Sequence, residues 1–216
     1  MKVAIVDYGL GNLFSISQAC RHVGIDTIIT GDSKMIKDAD GLILPGVGAF
    51  GDAMNYLKQS ELIDPIKEFV ASGKYFLGIC LGMQLLFTES EEFGSHQGLG
   101  LIPGKIVKFP VLDPFNNKVK VPQIQWNQIA KNRDDIWQSS PLKNIPESSF
   151  VQFVHSYYAI PENTDDVLSY TNYAGIRYAS SVKKNNIIGF QFHPEKSGLY
   201  GLRIYENWAK SIKNSK

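Results

Sequence analysis

The sequence predicts an α/β fold: a mostly parallel central sheet with helices on both faces, three layers in all, extended by antiparallel strands. Three observations predict it. In the first half, short apolar runs alternate with segments of helical apolar spacing, the rhythm of parallel strands joined by crossover helices. In the second half the apolar runs shorten and are separated by Pro, Asn and Gly, the pattern of hairpins. The chain has 216 residues, 44% of them hydrophobic, enough for one sizeable core, so residues 1–216 read as a single domain.

Taken in order, Val3–Val6 is an apolar run that ends at Asp7-Tyr8-Gly9. Asn12 to Val23 carries Leu13, Ile16, Ala19, Cys20 and Val23 on one helical face. Thr27–Thr30 and Leu42–Leu44 read as strands. Phe50 to Val70 reads as helical, in one or two pieces around Pro65, because proline interrupts a helix interior. Tyr75–Ile79 is a strand and Leu81–Thr88 a helix. Further strands are expected at Lys105–Phe109, Lys118–Ile124, Phe150–Val154, Val167–Tyr170, Gly175–Ser181 and Ile187–Phe192. A closing helix, Gly198–Ile212, sets Leu202, Tyr205, Trp208, Ala209 and Ile212 on one face.

Composition narrows the function. With 22 basic and 21 acidic side chains, no electrostatic footprint for nucleic acid is expected. Two cysteines, Cys20 and Cys80, are too few for a secreted disulfide framework. The N-terminus reads as a buried strand rather than a signal peptide. No stretch approaches the ~20 apolar residues of a membrane helix. The expectation is a cytoplasmic enzyme in reduced surroundings, with no cofactor and no metal.

The chemistry centres on Gly78-Ile79-Cys80-Leu81-Gly82, a G-x-C-x-G sequence at a strand-to-helix junction. This is the thiol version of the nucleophile elbow. The flanking glycines leave room for a sharp turn. The start of a helix beside Cys80 favours a thiolate, and the Leu81 N–H is a candidate oxyanion donor. A structural cysteine is the plainer alternative. It fits Cys20, which lies mid-helix on the apolar face without flanking glycines.

Pro45-Gly46-Val47-Gly48 follows a buried strand and opens a helix, so its backbone is a candidate second oxyanion donor. A phosphate loop is excluded because no Gly-Lys-Ser/Thr follows. A cysteine nucleophile needs a base. Of His22, His96, His155 and His193, the last is favoured because Glu195 stands two residues on across a proline and can orient the ring. A metal reading of His193 and Glu195 finds no second cluster with ligand spacing.

These three motifs, Pro45–Gly48, Gly78–Gln84 and His193–Glu195, resemble those of class I glutamine amidotransferases. Asp7-Tyr8-Gly9-x-Gly11-Asn12, Gly98–Gly104, Trp126-Asn127, Phe153–Tyr158 and Gln191–Ser197 resemble, more narrowly, the glutaminase subunits of imidazole glycerol phosphate synthases. The likeness runs from Lys2 to the final helix. It implies a Cys80–His193–Glu195 triad, an oxyanion hole at Val47, Gly48 and Leu81, and glutamine held by Gln84, Glu92, Ser156 and Tyr157. It also implies a (β/α)8 cyclase as heterodimer partner, for which Asn12, Trp126 and Lys196 are the docking candidates. One segment departs. The family reads Pro-His-x-Gly-Trp-Asn where this chain has Pro122-Gln123-Ile124-Gln125-Trp126-Asn127. That leaves the triad intact and leaves open a paralogous role, supplying ammonia for surface-sugar modification. Another class I amidotransferase is the further alternative, though those lack the Asp7–Asn12 and Phe153–Tyr158 segments as they stand in this chain. A non-catalytic scaffold is the reading of a different class, and an intact triad argues against it.

Overall fold

The computed structural model describes Met1–Asn214; Ser215 and Lys216, the end of the expected domain, lie outside the described residues. Five strands form its parallel centre: β1 (Lys2–Val6), β2 (Asp26–Thr30), β3 (Gly41–Leu44), β4 (Tyr75–Ile79) and β14 (Ile187–Phe190), in the order β2-β1-β3-β4-β14. Strand alternation divides the core in two. Ala4 and Val6 of β1 face a cluster built with α2 (Ser33–Asp38), α3 (Phe50–Gln59) and α4 (Ile63–Ala71). Val3 and Ile5 face the opposite cluster, built with α1 (Leu13–His22) and α6 (Gly198–Asn214). The helices therefore cover both faces, as expected.

Local chemistry sets the helix bounds. The Asn12 side chain accepts from the Ser15 N–H at 3.3 Å and caps α1; Asp32 does the same for α2 through Met35 at 2.8 Å. The expected break near Pro65 falls three residues before it. The proline then sits in the first turn of α4, where a missing N–H costs no helical bond.

Beyond β14 the sheet continues antiparallel through β13 (Ile176–Lys184), β11 (Tyr157–Pro161) and β7 (Ile102–Lys108), with β12 (Val167–Tyr173) also pairing β13. Two expectations need correction. The helix expected over Leu81–Thr88 is a single turn, α5 (Leu81–Gln84), and Phe87–Ser90 forms β5, which runs parallel to β7. The carbonyls that would have continued the helix are taken elsewhere. Leu85 O accepts from Leu99 N at 2.8 Å, Leu86 O from Leu101 N at 2.9 Å, and Thr88 O from Gly98 N at 2.9 Å. The strand expected over Lys118–Ile124 instead begins at Gln123 and runs to Gln128 as β8. Pro122 has no N–H for the ladder, so pairing starts after it. Its partner is β10 (Phe150–His155), and the two form a separate two-stranded sheet rather than part of the extension. The chain passes from β10 to β11 across Ser156 alone, which brings that corner over the end of β4.

Candidate active site

Cys80 joins β4 to α5 with φ 55° and ψ −112°, a left-handed conformation that a side chain rarely adopts. The backbone around it is fixed. Its N–H donates to Phe190 O at 2.7 Å, and its carbonyl accepts from Met83 N at 3.0 Å. Gly82 is required for close approach: a Cβ there would stand 1.9 Å from the Leu44 carbonyl oxygen. The strain at Cys80 is thus held by two neighbouring strands. Because α5 is only one turn, the helix-end support expected for a thiolate is smaller than an eight-residue helix would give. The charged partner is His193.

His193 follows β14, and its N–H donates to Gln152 O at 3.0 Å. Its Nδ1 lies 2.8 Å from Glu195 Oε1, across a 3-10 turn at Pro194–Lys196 that presents the carboxylate to the ring. The Glu195 side chain is fully buried. Burial pulls the imidazole down, but the charge of Cys80 and hydrogen bonds to Cys80 and Glu195 outweigh it, and His193 is raised to about 10. The ring thus stands within hydrogen-bond reach of the sulfur, oriented from behind by a buried carboxylate. That arrangement suits attack on an acyl carbon followed by protonation of a leaving group.

Cys80 and His193 open on a cavity of about 300 Å³. Val47, Gly48 and Leu81 line it, together with Gln84, Glu92, Ser156 and Tyr157. Asn12 and Lys196 also line it, whereas Trp126 lines a separate hollow with Phe150 and Tyr200. Gly48 has φ +101°, a conformation that glycine reaches at no steric cost. The Leu81 N–H, first in α5, has no carbonyl to donate to within that helix. Gln84 already spends its amino group on Tyr157 O and Gln191 Oε1, both at 2.9 Å, so its oxygen is what it offers the cavity. Glu92 Oε2 accepts from the Phe50 N–H at 2.7 Å, tying the start of α3 to the site. Burial raises that carboxyl above its ordinary value.

Other contributors lie in segments that carry the resemblance but are given no role from sequence. Tyr8 donates from its hydroxyl to Pro45 O at 2.9 Å and anchors the Gly46–Gly48 loop. Gln191 reaches the sulfur. His155 lines the same cavity as His193 but has a different state. Its Nδ1 is 2.8 Å from Tyr157 O and its Nε2 3.2 Å from the Tyr178 hydroxyl, which in turn contacts Gln123 Oε1 at 3.0 Å. Burial pushes His155 down to about 4, so it is neutral. Gln123, the departure from the family pattern, is therefore a buried member of this network, while Gln125 is exposed.

A pH prediction follows from His155. Its folded pKa is depressed, so between about 6.5 and 4 the unfolded chain binds a proton that the folded protein refuses. Stability should fall as pH drops through that window, by on the order of 3 kcal/mol from this group. Urea midpoints measured from pH 7 to 4 should show a flatter acid slope for His155→Gln. An unchanged slope would remove His155 as the source.

No helix among the described residues is long and apolar enough to cross a membrane. Residues 4–211 match the family described as Glutamine amidotransferase class-I. The chain is 48% identical over 208 residues to the imidazole glycerol phosphate synthase subunit HisH of Sulfurimonas denitrificans, covering 96% of this chain and 97% of that one. The subunit of the same name from Aquifex aeolicus is 43% identical over 211 residues, covering 97% of each chain. Among solved structures, PurLQS from Thermotoga maritima superposes with a TM-score of 0.74 at 17% identity, covering 98% of both chains; that likeness concerns the fold alone.

Proposed function

The chain belongs to the class I glutamine amidotransferase family, and on that premise we propose that it is the ammonia-producing subunit of an imidazole glycerol phosphate synthase. The observation that carries this is that Cys80 and His193 line one cavity large enough for a free amino acid, with Glu195 bonded to the ring. In this reading residues 1–216 act as one domain, and the reduced thiol at Cys80 suits the cytoplasm.

The thiolate of Cys80 attacks the side-chain amide carbon of L-glutamine. The oxyanion that forms is held by the Val47–Gly48 backbone and the Leu81 N–H. The His193 imidazolium gives its proton to the amide nitrogen, ammonia departs, and a γ-glutamyl thioester remains on Cys80. Neutral His193 then takes a proton from water. The hydroxide attacks the thioester, the thiolate leaves, and glutamate is released with the imidazolium restored. Glu195 keeps the ring in the tautomer this cycle needs. Gln84 through its oxygen, Glu92, Ser156 and Tyr157 hold the amino-acid end of the substrate.

Ammonia passes to a (β/α)8 cyclase that docks over Asn12, Trp126 and Lys196. There it helps convert an aminoimidazole-carboxamide ribonucleotide intermediate to imidazole glycerol phosphate. The test is product formation by the mixed subunits with glutamine as the nitrogen source and an ammonium salt as control. Glutamine-dependent product supports the assignment. A cyclase that works on ammonium but never on glutamine in the presence of this chain counts against it. Gln123 and Gln125 favour a second reading, a paralogue serving surface-sugar modification. Response to a barrel protein of that pathway, with none to the histidine-pathway cyclase, selects it.

A further inference from the structure

The sulfur of Cys80 has a polar neighbour besides His193 for which the catalytic cycle has no use. Gln191 follows β14 directly and is fully buried. Its Nε2 lies 3.9 Å from Cys80 Sγ, and its Oε1 accepts from Gln84 Nε2 at 2.9 Å. Its backbone N–H is held by Ser180 O at 3.0 Å.

Side-chain amides are easily drawn the wrong way round, because their oxygen and nitrogen are hard to tell apart. Here a backbone group decides. The Tyr157 carbonyl can only accept, so Gln84 must present its amino group to it, at 2.9 Å. That same amino group faces Gln191, which must answer with its oxygen. The amino end of Gln191 is then left against the sulfur. Turning over either amide would set oxygen against oxygen or N–H against N–H. The order Tyr157 carbonyl, Gln84, Gln191, Cys80 therefore has one direction, fixed by the main chain.

The other polar neighbour of the sulfur is Val154 O at 3.8 Å, which can accept only from a protonated thiol. A carbonyl and an amide N–H thus bear on Sγ with opposite preferences. The carbonyl favours the thiol and the N–H favours the thiolate, with a charge-assisted bond in buried surroundings. We propose that Gln191 is a positioning residue that donates a hydrogen bond to the Cys80 thiolate, aimed by Gln84, and so holds the nucleophile charged and in place. The same donor favours expulsion of the thiolate when the thioester is hydrolysed, since a thioester sulfur is a poor acceptor. Gln84 on this account does more than contact substrate: it sets the polarity of the donor behind the nucleophile.

The inference rests on Cys80 being the nucleophile, and the test separates the two. Alkylation of Cys80 by iodoacetamide is followed against pH in the Cys20→Ala protein, then with Gln191→Met added. Loss of the donor should move the half-maximal pH upward by about one unit. That is roughly tenfold slower alkylation below the half-point, with the plateau at high pH retained. Gln191→Met alone leaves one N–H of the Gln84 amino group without its partner, the other staying on Tyr157 O. If it does not fold, Gln84→Leu/Gln191→Met removes both partners together and the same shift is expected. A reactive parent whose profile is unmoved in either folded variant overturns the role of Gln191 alone. A Cys20→Ala parent that is not alkylated at Cys80 overturns the nucleophile assignment, and this proposal with it.

Discussion

Cys80→Ala is expected to lower glutamine hydrolysis by a factor of about 10⁴ or more while leaving the fold intact. In the proposed mechanism the sulfur forms the bond to the substrate, and Cys20, the other cysteine, does not line the cavity. Alanine retains a Cβ, so it meets the same backbone strain at φ 55° that cysteine already tolerates, and the melting temperature should barely move. The complex with a cyclase should still make product from an ammonium salt, because the barrel's chemistry does not need the thiol. His193→Asn should behave alike, while His22→Asn, on the exposed side of α1, should not. Glutamate release with a parallel thermal melt measures this. Retained turnover in Cys80→Ala, or a comparable loss in His22→Asn, would overturn the assignment of nucleophile or base.

The second large effect concerns regulation. A glutaminase that ran unattended would release ammonia with nowhere to go, so turnover by this chain alone should be slow. A cognate barrel subunit carrying its acceptor should accelerate it by on the order of 10²–10³, the usual worth of one oxyanion donor. The physical route is the loop after β3. Gly48 at φ +101° can turn its peptide without steric cost, so the Val47–Gly48 backbone has more than one accessible orientation. Val47 lines the cavity and is 43% exposed, while the Tyr8 hydroxyl holds the loop at Pro45. A partner that binds the productive orientation better shifts the population toward it. Steady-state rates with and without the cyclase and its ligand test this. Full activity in isolation would remove the gating.

The elbow was legible because its chemistry is local. The turn puts Cys80 at φ 55°, and the second glycine of the Gly-x-Cys-x-Gly run lets the chain pass against Leu44 O. His193 was legible for a similar reason, since its orienting carboxylate stands two residues away on the same turn. The parallel centre was legible from strands that are apolar on both faces. What the sequence hid was decided by distant partners. The helix after Cys80 stops at one turn because Gly98–Leu101 claim its carbonyls. The network behind the sulfur joins residues 107 and 73 positions apart, Gln84 to Gln191 and to Tyr157. A buried glutamine looks in sequence like any solvated one. His155 and His193 are both buried, and their partners set their charge states: Cys80 and Glu195 raise His193 to about 10, while burial prevails at His155, bonded to Tyr157 O and Tyr178, and takes it to about 4.

The most direct test of the central claim is to inactivate the protein with a glutamine-like diazoketone and map the modified peptide by mass spectrometry, with and without excess glutamine. The account predicts one adduct, on the peptide carrying Cys80, that glutamine protects against and that is lost in His193→Asn. Modification of Cys20 in its place, or inactivation with Cys80 left free, would contradict it.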